Sequence, residues 1–455
     1  MKRTFWIYSI PLLLLFAVTL PHLEQGDFRV ETAHYGAVGL QAWRTPSLFW
    51  SLHEHPAVPY FNKPPLVFWI HGLLLHLFGI TLAVVRIPTI LAAAGCVLLT
   101  VFMTRRLMGR TTALAAGTIL ALSYEFFRRT REISLDMWQL FFMLAAAALW
   151  IAAAHTHRRH WVWLAGIPLG LALLCKPLMA FLLPCIFIGW YFTGRSFKFL
   201  RVRDFIGFLG VTLAIALPWH LSMAMLHGEL FINQYFGHEV VQRMQGHINN
   251  KPIWYYAVEN GKTYWPWMIL LVCGIARWIR GSLSRHHRNA LTLALIWLLT
   301  WAIAINLFPD KRPRYALPLY PMLAILGGYG LTTLPWQGLR KWYRRKLGLT
   351  AVVIMIVAFI ISVLPIRFQA PPDPSLSALV DWASGQNPAT VYSAALSAVD
   401  ESMLYIKAGY WPAPLSSRPP SETGSLLIYT DTLVPQPALD EICIFQRGPY
   451  RVMRK

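Results

Sequence analysis

Residues Asp27–Trp69 read DFRVETAHYGAVGLQAWRTPSLFWSLHEHPAVPYFNKPPLVFW. This stretch is polar and aromatic and carries the carboxylates Asp27, Glu31 and Glu54, while the sequence on either side is almost continuously apolar. It cannot lie in hydrocarbon, because its charges and turn-rich backbone would go unsatisfied there. It is therefore expected to form a large loop at a membrane face, and the flanking chain is expected to supply the membrane segments.

Composition agrees with that reading. Of 455 residues, 56% are hydrophobic and 13% charged, against roughly 25% charged in an ordinary soluble domain, which makes this a polytopic membrane protein. Phe5–Leu20, behind Lys2 and Arg3, reads as a retained anchor with its amino end inside, since no small-x-small cleavage site follows. Further apolar segments fall at Leu82–Thr104, Thr111–Phe126, Met137–Ala154, Trp161–Leu174, Leu178–Phe192, Phe205–Trp219, Trp265–Ile275, Leu291–Phe308, Leu317–Leu334 and Leu349–Leu364. With the anchor these predict about eleven spans, several short against the roughly 20 residues a bilayer core requires. Cys96, Cys175, Cys185, Cys273 and Cys443 follow no metal or disulfide spacing and read as small apolar residues.

The formal charge of +21 is explained by where it sits. Connections bearing Arg105/Arg106/Arg110, Arg158/Arg159, Arg195/Lys198/Arg201/Arg203, Arg277/Arg280/Arg285/Arg288 and Arg340/Lys341/Arg344/Arg345/Lys346 alternate with connections bearing acids. Basic loops mark the cytoplasm, so the charge is an orientation device and not a nucleic-acid surface. The alternation closes if Leu66–Ile80 lies at the membrane surface or is re-entrant. Eleven of the twelve acids before position 366, all but Asp204, then fall on or near the outer face, where the chemistry is expected.

Beyond Pro365 the composition turns soluble. Residues 366–455 open with Pro371, Pro372 and Pro374. They predict helices at Leu376–Ala383 and Glu401–Ala408 and strands at Thr390–Ser393, Leu426–Tyr429 and Ile442–Gln446. We read them as a small α/β domain on the outer, periplasmic side, serving as a lid or docking module. Residues 1–365 form the transmembrane domain, with the chemistry in the loop 21–66.

The outer loops offer carboxylates opposite cations, which suits a reaction in which a base activates a hydroxyl while an anionic phosphate departs. The carboxylate candidates are Glu31, Asp136 and Asp27; the cation candidates are Lys63, Arg131, Lys176, Arg312 and Arg314. Tyr35, Tyr60, His238, Glu239, Tyr256 and Tyr315 are candidate pocket side chains. Plainer roles compete with these: Arg131 and Asp136 could anchor span ends at the headgroups. His53 and His55 read more readily as a solvated pair than as metal ligands. His238-Glu239 lacks the second His of a zinc-protease helix, because Gln242 stands there.

Several ordered motifs carry a family resemblance: Glu31-Thr-Ala-His-Tyr35, Phe61-Asn-Lys63-Pro-Pro-Leu-Val-Phe-Trp69, Arg86-Ile-Pro, Arg105-Arg-Leu-Met-Gly109, Arg131-Glu-Ile-Ser-Leu-Asp-Met137, Cys175-Lys-Pro177, Phe236-Gly-His-Glu239, Trp254-Tyr-Tyr256 and Lys311-Arg-Pro-Arg-Tyr-Ala-Leu-Pro318. In order and spacing the chain resembles, over about residues 5–365, the polytopic glycosyltransferases that use polyprenyl-phosphate sugars: the lipid A aminoarabinose transferases and protein O-mannosyltransferases of GT-C type. The resemblance implies an all-α GT-C membrane domain with juxtamembrane helices in the first outer loop. It also implies an outer-face site fed by a lipid carrier, in a bacterial inner membrane. Glu31 takes the place of the family's principal catalytic Asp, although it is one methylene longer, so Asp27 is kept as the alternative. Asp136 takes the second acidic position and Lys63 that of a lipid-phosphate contact. The expected partners are a polyprenyl-phosphate sugar donor, a lipid, glycan or protein acceptor, and membrane lipids. No cofactor is called for, and divalent-metal dependence stays open. The rival readings are a transporter or flippase of a polyprenyl-linked or anionic lipid, and a non-catalytic envelope-assembly subunit.

Overall fold

The computed structural model describes residues 2–26, 28, 30–55, 58–193, 199–242, 250–265, 267–280, 285–333, 374–386, 391–394, 396, 398–408, 413–414, 426–430, 442–447 and 449–454. The expected span Leu349–Leu364, the basic run from Arg340 to Lys346, and Asp27 lie outside the described residues. So do the side chains of His238, Glu239 and His55.

The helices in chain order are α1 (Lys2–Thr19), α2 (Val30–Arg44), α3 (Leu66–Phe78), α4 (Leu82–Met108), α5 (Arg110–Ala121), α6 (Tyr124–Arg128), α7 (Leu135–Thr156), α8 (His160–Leu164), α9 (Gly166–Leu173), α10 (Pro177–Ala180), α11 (Leu182–Thr193), α12 (Val202–Ile232), α13 (Tyr255–Thr263), α14 (Trp267–Arg280), α15 (Arg285–Leu307) and α16 (Tyr320–Thr333). Among the described residues, five are long and apolar enough to cross a membrane: Phe5–His22, Leu82–Met108, Leu135–Thr156, Val202–Gly237 and His287–Leu307. Ten of the eleven apolar segments read from the sequence are helical, but several are too short or too interrupted to meet that criterion alone. The Thr111–Phe126 segment breaks between α5 and α6, and Leu178–Phe192 breaks between α10 and α11. The segment expected to end at Trp219 stays helical past Pro218 as far as a kink at Gly228, beyond which a short further helical stretch runs to Ile232. α3 has 13 residues, so it reaches only about 20 Å, short of a hydrocarbon core of about 30 Å.

The chain divides into two compact units. The first comprises Met1–Leu23, Phe61–Val67 and Ile87–Ile366. Its core is made by α14 and α5 against α16, α9 against α12 and α7, and α11 against α15. The second comprises Glu24–Tyr60, Phe68–Arg86 and Arg367–Lys455. Within it α2 and α3 cross at Gly39 and Gly72, where a Cβ on either glycine would collide with backbone of the other helix. The same unit holds strands β1 (His53–His55) and β2 (Val58–Pro59), paired antiparallel. It also holds β3 (Val391–Ala394), β4 (Ala413–Pro414), β5 (Leu426–Thr430), β6 (Ile442–Arg447) and β7 (Tyr450–Arg454), in the order β4-β3-β5-β7-β6. β3 is parallel to β4 and β5, and β7 is antiparallel to β5 and β6. Helices Pro374–Ser384 and Ala398–Met403 complete this part. β7 escaped the sequence reading because YRVMR is only five residues long and sets its adjacent apolar pair, Val452 and Met453, between two arginines.

Candidate functional site

In the first unit the polar residues of the site are set by three helix starts. Ser134 caps α7, its hydroxyl accepting from the Met137 N–H at 3.3 Å, so Asp136 falls in the first turn, where the helix dipole favours a carboxylate. Lys176 is extended (φ −162°, ψ 102°) because Pro177 follows it at the first position of α10. Arg312 is likewise extended ahead of Pro313, which opens the 3-10 turn Pro313–Leu319 carrying Arg314 and Tyr315. Two indoles of α15 hold that turn: Trp301 Nε1 donates to the Tyr315 carbonyl at 2.8 Å and Trp297 Nε1 to the Pro318 carbonyl at 2.9 Å. The Leu66 N–H donates to the Leu174 carbonyl at 3.2 Å, which lays the segment ending in Lys63-Pro64-Pro65 alongside the one entering Lys176.

Charges meet where these segments converge. Lys176 Nζ donates to Asp136 Oδ1 at 2.7 Å, Arg314 Nε lies 3.7 Å from Asp136 Oδ2, and the Gln139 amide, one turn along α7, donates to the Lys176 carbonyl. The Lys176 ammonium also sits 4.3 Å from the centre of the Tyr315 ring, a cation–π distance. The Tyr315 hydroxyl donates to Asp310 Oδ2 at 3.5 Å, and Arg312 Nε is 3.7 Å from Asp310 Oδ1. Lys63 is buried, its Nζ donating to the Asn62 carbonyl at 3.0 Å. Burial of an ammonium is costly unless it is paired, and Asp136 meets that cost for Lys176.

Lys63, Lys176, Asp310 and Tyr315 border a cavity of about 370 Å³. Most of its remaining wall is apolar, including Leu173, Phe181, Leu213, Leu217, Phe236 and Phe308. A cavity that is greasy over most of its surface and cationic at a few points fits an amphiphile with an anionic head. Arg131 does not border it: its guanidinium is 3.4 Å from the His22 carbonyl, and the neighbouring Arg129 is buried between Glu125 and Glu132. Tyr256 is buried in α13, and burial pushes its phenol above the usual range. The sequence reading missed His220 and Tyr235 in the cavity wall. His220 sits in an apolar helix like any core histidine, and Tyr235 gains meaning only from its neighbour. Asp310 was legible only as one more outer acid, although it is almost wholly buried.

The second unit carries Glu31 in the first turn of α2, with Tyr35 one turn on. The His34 ring lies between Tyr60, at 5.2 Å between ring centres, and Ser402, whose hydroxyl is 3.4 Å from Nδ1; Glu54 Oε2 is 3.9 Å from Nε2. Burial, partly opposed by the negative charge of Glu31, lowers the His34 pKa to about 4, so the ring is neutral at pH 7. Burial and the charge of Glu401 raise the Glu54 carboxyl above its ordinary value. Among the described residues no group of three or more His, Cys, Asp or Glu side chains could hold a metal ion.

Comparison with known proteins adds to this geometry. Residues 62–221 match the family model for dolichyl-phosphate-mannose-protein mannosyltransferase. An undecaprenyl phosphate-α-4-amino-4-deoxy-L-arabinose arabinosyl transferase of Pseudomonas fluorescens is 25% identical over 366 residues, 76% of this chain and 65% of that protein. Its counterpart in Pseudomonas paraeruginosa is 28% identical over 284 residues, 60% of this chain and 50% of that protein. The chain thus spans about half to two thirds of the length of these relatives. In fold it matches ArnT from Cupriavidus metallidurans bound to undecaprenyl phosphate, with TM-score 0.79, 16% identity, and 99% of this chain and 98% of that one covered. The archaeal oligosaccharyltransferase AglB from Archaeoglobus fulgidus matches with TM-score 0.60, 13% identity, and 90% and 64% covered. The chain is thus similar in sequence to undecaprenyl phosphate aminoarabinose arabinosyl transferases and has a fold like that of ArnT.

Proposed function

We propose that this protein transfers a sugar from a polyprenyl-phosphate carrier to a hydroxyl or phosphate acceptor at the outer face of a bacterial inner membrane, with the arabinosyl transfer for which its relatives are named as the analogue. The single observation that carries the reading is the amphiphilic cavity, whose largely apolar wall is punctuated by the ammonium groups of Lys63 and Lys176. In the reaction the acceptor oxygen bonds to the anomeric carbon with inversion. The bond from that carbon to the phosphate oxygen breaks, and its electron pair leaves on the phosphate. Lys63, Lys176 and Arg314 stabilise the charge growing there, and a preorganised donor of this sort is worth about 3–4 kcal/mol. Asp136 keeps Lys176 and Arg314 placed while no substrate is bound. Glu31, by its place in the Glu31-Thr-Ala-His-Tyr35 motif, takes the acceptor's proton. Asp27 stays as the alternative carboxylate, with Arg312, Tyr60, His238 and Glu239 as contributors to donor and acceptor binding.

The accompanying topology has about eleven crossings, the amino terminus in the cytoplasm and an α/β domain from residue 366 in the periplasm. The alternation of basic and acidic loops supports it. No observation favours the transporter or the assembly-subunit reading. The test is incubation of purified protein with labelled undecaprenyl-phosphate sugar. Release of undecaprenyl phosphate and glycosylation of an envelope acceptor are expected, and an untouched donor pool that is instead moved across vesicles would overturn the proposal.

A further inference from the structure

Two polar side chains of the cavity wall, His220 and Tyr235, have no part in the mechanism above. A bend in α12 brings them together: Gly228 has φ +50°, a conformation that side chains disfavour, and the π-helical turn Asn233–Gln242 follows it. The Tyr235 ring stacks on Phe231 at 4.9 Å between centres and packs against Trp219 and His220. Tyr235 is only 4% exposed, and it borders the cavity.

The hydrogen bonds of this pair run in one direction. His220 Nδ1 is 2.8 Å from the Ala216 carbonyl, which can only accept, so Nδ1 carries a proton. In the neutral imidazole Nε2 then has only a lone pair, and its 2.7 Å contact is the Tyr235 hydroxyl donating to it. The phenol's one proton is committed, so toward the cavity Tyr235 acts as an acceptor. Leu213, Leu217 and His220 follow one another on one face of α12, so the wall runs from apolar to polar over about 10 Å. The pair therefore belongs to the head-group end.

We propose that the His220–Tyr235 pair is a specificity element, an acceptor that recognises a hydroxyl or amine on the carrier-linked sugar and disfavours the bare phosphate of the spent carrier. The inference rests on the transferase reading. Lysines alone would favour the wrong lipid, because a terminal phosphate carries close to two negative charges near neutral pH and the sugar-linked phosphodiester only one. An oxygen that can only accept corrects this. It bonds to a sugar O–H or N–H and repels a phosphate oxygen, favouring entry of loaded carrier and departure of spent carrier.

The experiment measures binding to the full-length protein in nanodiscs by tryptophan quenching. The probes are undecaprenyl phosphate, its 4-amino-4-deoxy-L-arabinose conjugate and its mannose conjugate, and donor turnover is followed in parallel. Wild type is expected to prefer at least one loaded lipid. Tyr235→Phe should weaken loaded lipid about five- to tenfold, as for a lost hydrogen bond, leave bare undecaprenyl phosphate unchanged, and raise KM more than it lowers kcat. His220→Leu frees the Tyr235 proton for the cavity and should tighten bare undecaprenyl phosphate several-fold while weakening the loaded lipids. Equal weakening of loaded and bare lipid in Tyr235→Phe, or weakening of bare lipid in His220→Leu, would reduce the pair to a structural strut and overturn the proposal. No preference in wild type overturns it too. Intact discrimination without turnover would support the pair and sink the transferase reading.

Discussion

Asp136→Asn separates the structural role of the Asp136–Lys176–Arg314 group from its role in catalysis. The substitution keeps size and shape but leaves two cations facing a neutral amide. At an effective dielectric constant of about 20, Coulomb's law gives about 6 kcal/mol for the 2.7 Å contact with Lys176 and about 4.5 kcal/mol for the 3.7 Å contact with Arg314, before desolvation. Desolvating each ion takes back several kcal/mol, so the net loss expected on removing one partner is about 3–5 kcal/mol. Detergent-solubilised Asp136→Asn should therefore melt several degrees below wild type. The double variant Asp136→Asn with Lys176→Met removes most of the unpaired charge, and its midpoint should recover toward wild type. Its donor turnover should nevertheless stay at least about 10²-fold down, because the cation facing the leaving phosphate is gone. Asp136→Asn melting with wild-type protein would show that the ion pairs are not coupled to stability. A double variant with near wild-type turnover would show that Lys176 does not hold the phosphate.

Three other outcomes are expected. Lys63→Ala should impair use of labelled donor far more than thermal stability, with Lys63→Arg restoring only part of it, since a planar fork does not replace a point charge; unaltered turnover would remove Lys63 from the site. Because burial holds the His34 pKa at about 4 against an ordinary 6.5, the folded state binds fewer protons than the unfolded state between those values. Stability should then fall as pH drops from about 6.5 to about 4, by up to about 3 kcal/mol, and thermal melts of His34→Gln should lose most of that slope. The raised Glu54 carboxyl works in the opposite direction, losing stability as pH rises through its own range, so Glu54→Gln should steepen the acid slope. In a cysteine-free background, a cysteine at Gln234 should react with an impermeant thiol reagent from the periplasmic side and one at Arg110 should not; the reverse would invert the topology.

Much of the fold was legible because hydrocarbon is an unforgiving solvent. Residues such as Leu135–Thr156 or Leu82–Met108 have one stable conformation there, and their composition announces it. Their boundaries were less legible, because a helix ends where a cap or a proline sits and not where hydropathy falls. Pro177 splits Lys176 from the helix that follows, and Gly228 ends the helical run that hydropathy closed at Trp219. The short strand β7 was missed for a related reason. Its two apolar residues, Val452 and Met453, sit among charges, and pairing with β5 and β6 makes it a strand.

The site was legible to the extent that charge in an apolar chain needs a reason. Lys63, Asp136, Lys176, Arg314 and Tyr315 were all singled out as exceptions in their surroundings, and the folded chain brings Asp136, Lys176, Arg314 and Tyr315 into direct contact. Arg131 was singled out by the same logic, yet its guanidinium lies at the His22 carbonyl and outside the cavity wall, because sequence reveals that a charge is unusual without revealing its partner. His220 and Tyr235 show the converse. Neither is unusual alone, fifteen positions separate them, and their meaning lies in the direction of one hydrogen bond that exists only after Gly228 turns the chain. Charged groups of the site can thus be anticipated from the sequence, though not their partners, whereas the neutral groups that tell one anionic lipid from another emerge only when backbone geometry fixes which atom holds the proton.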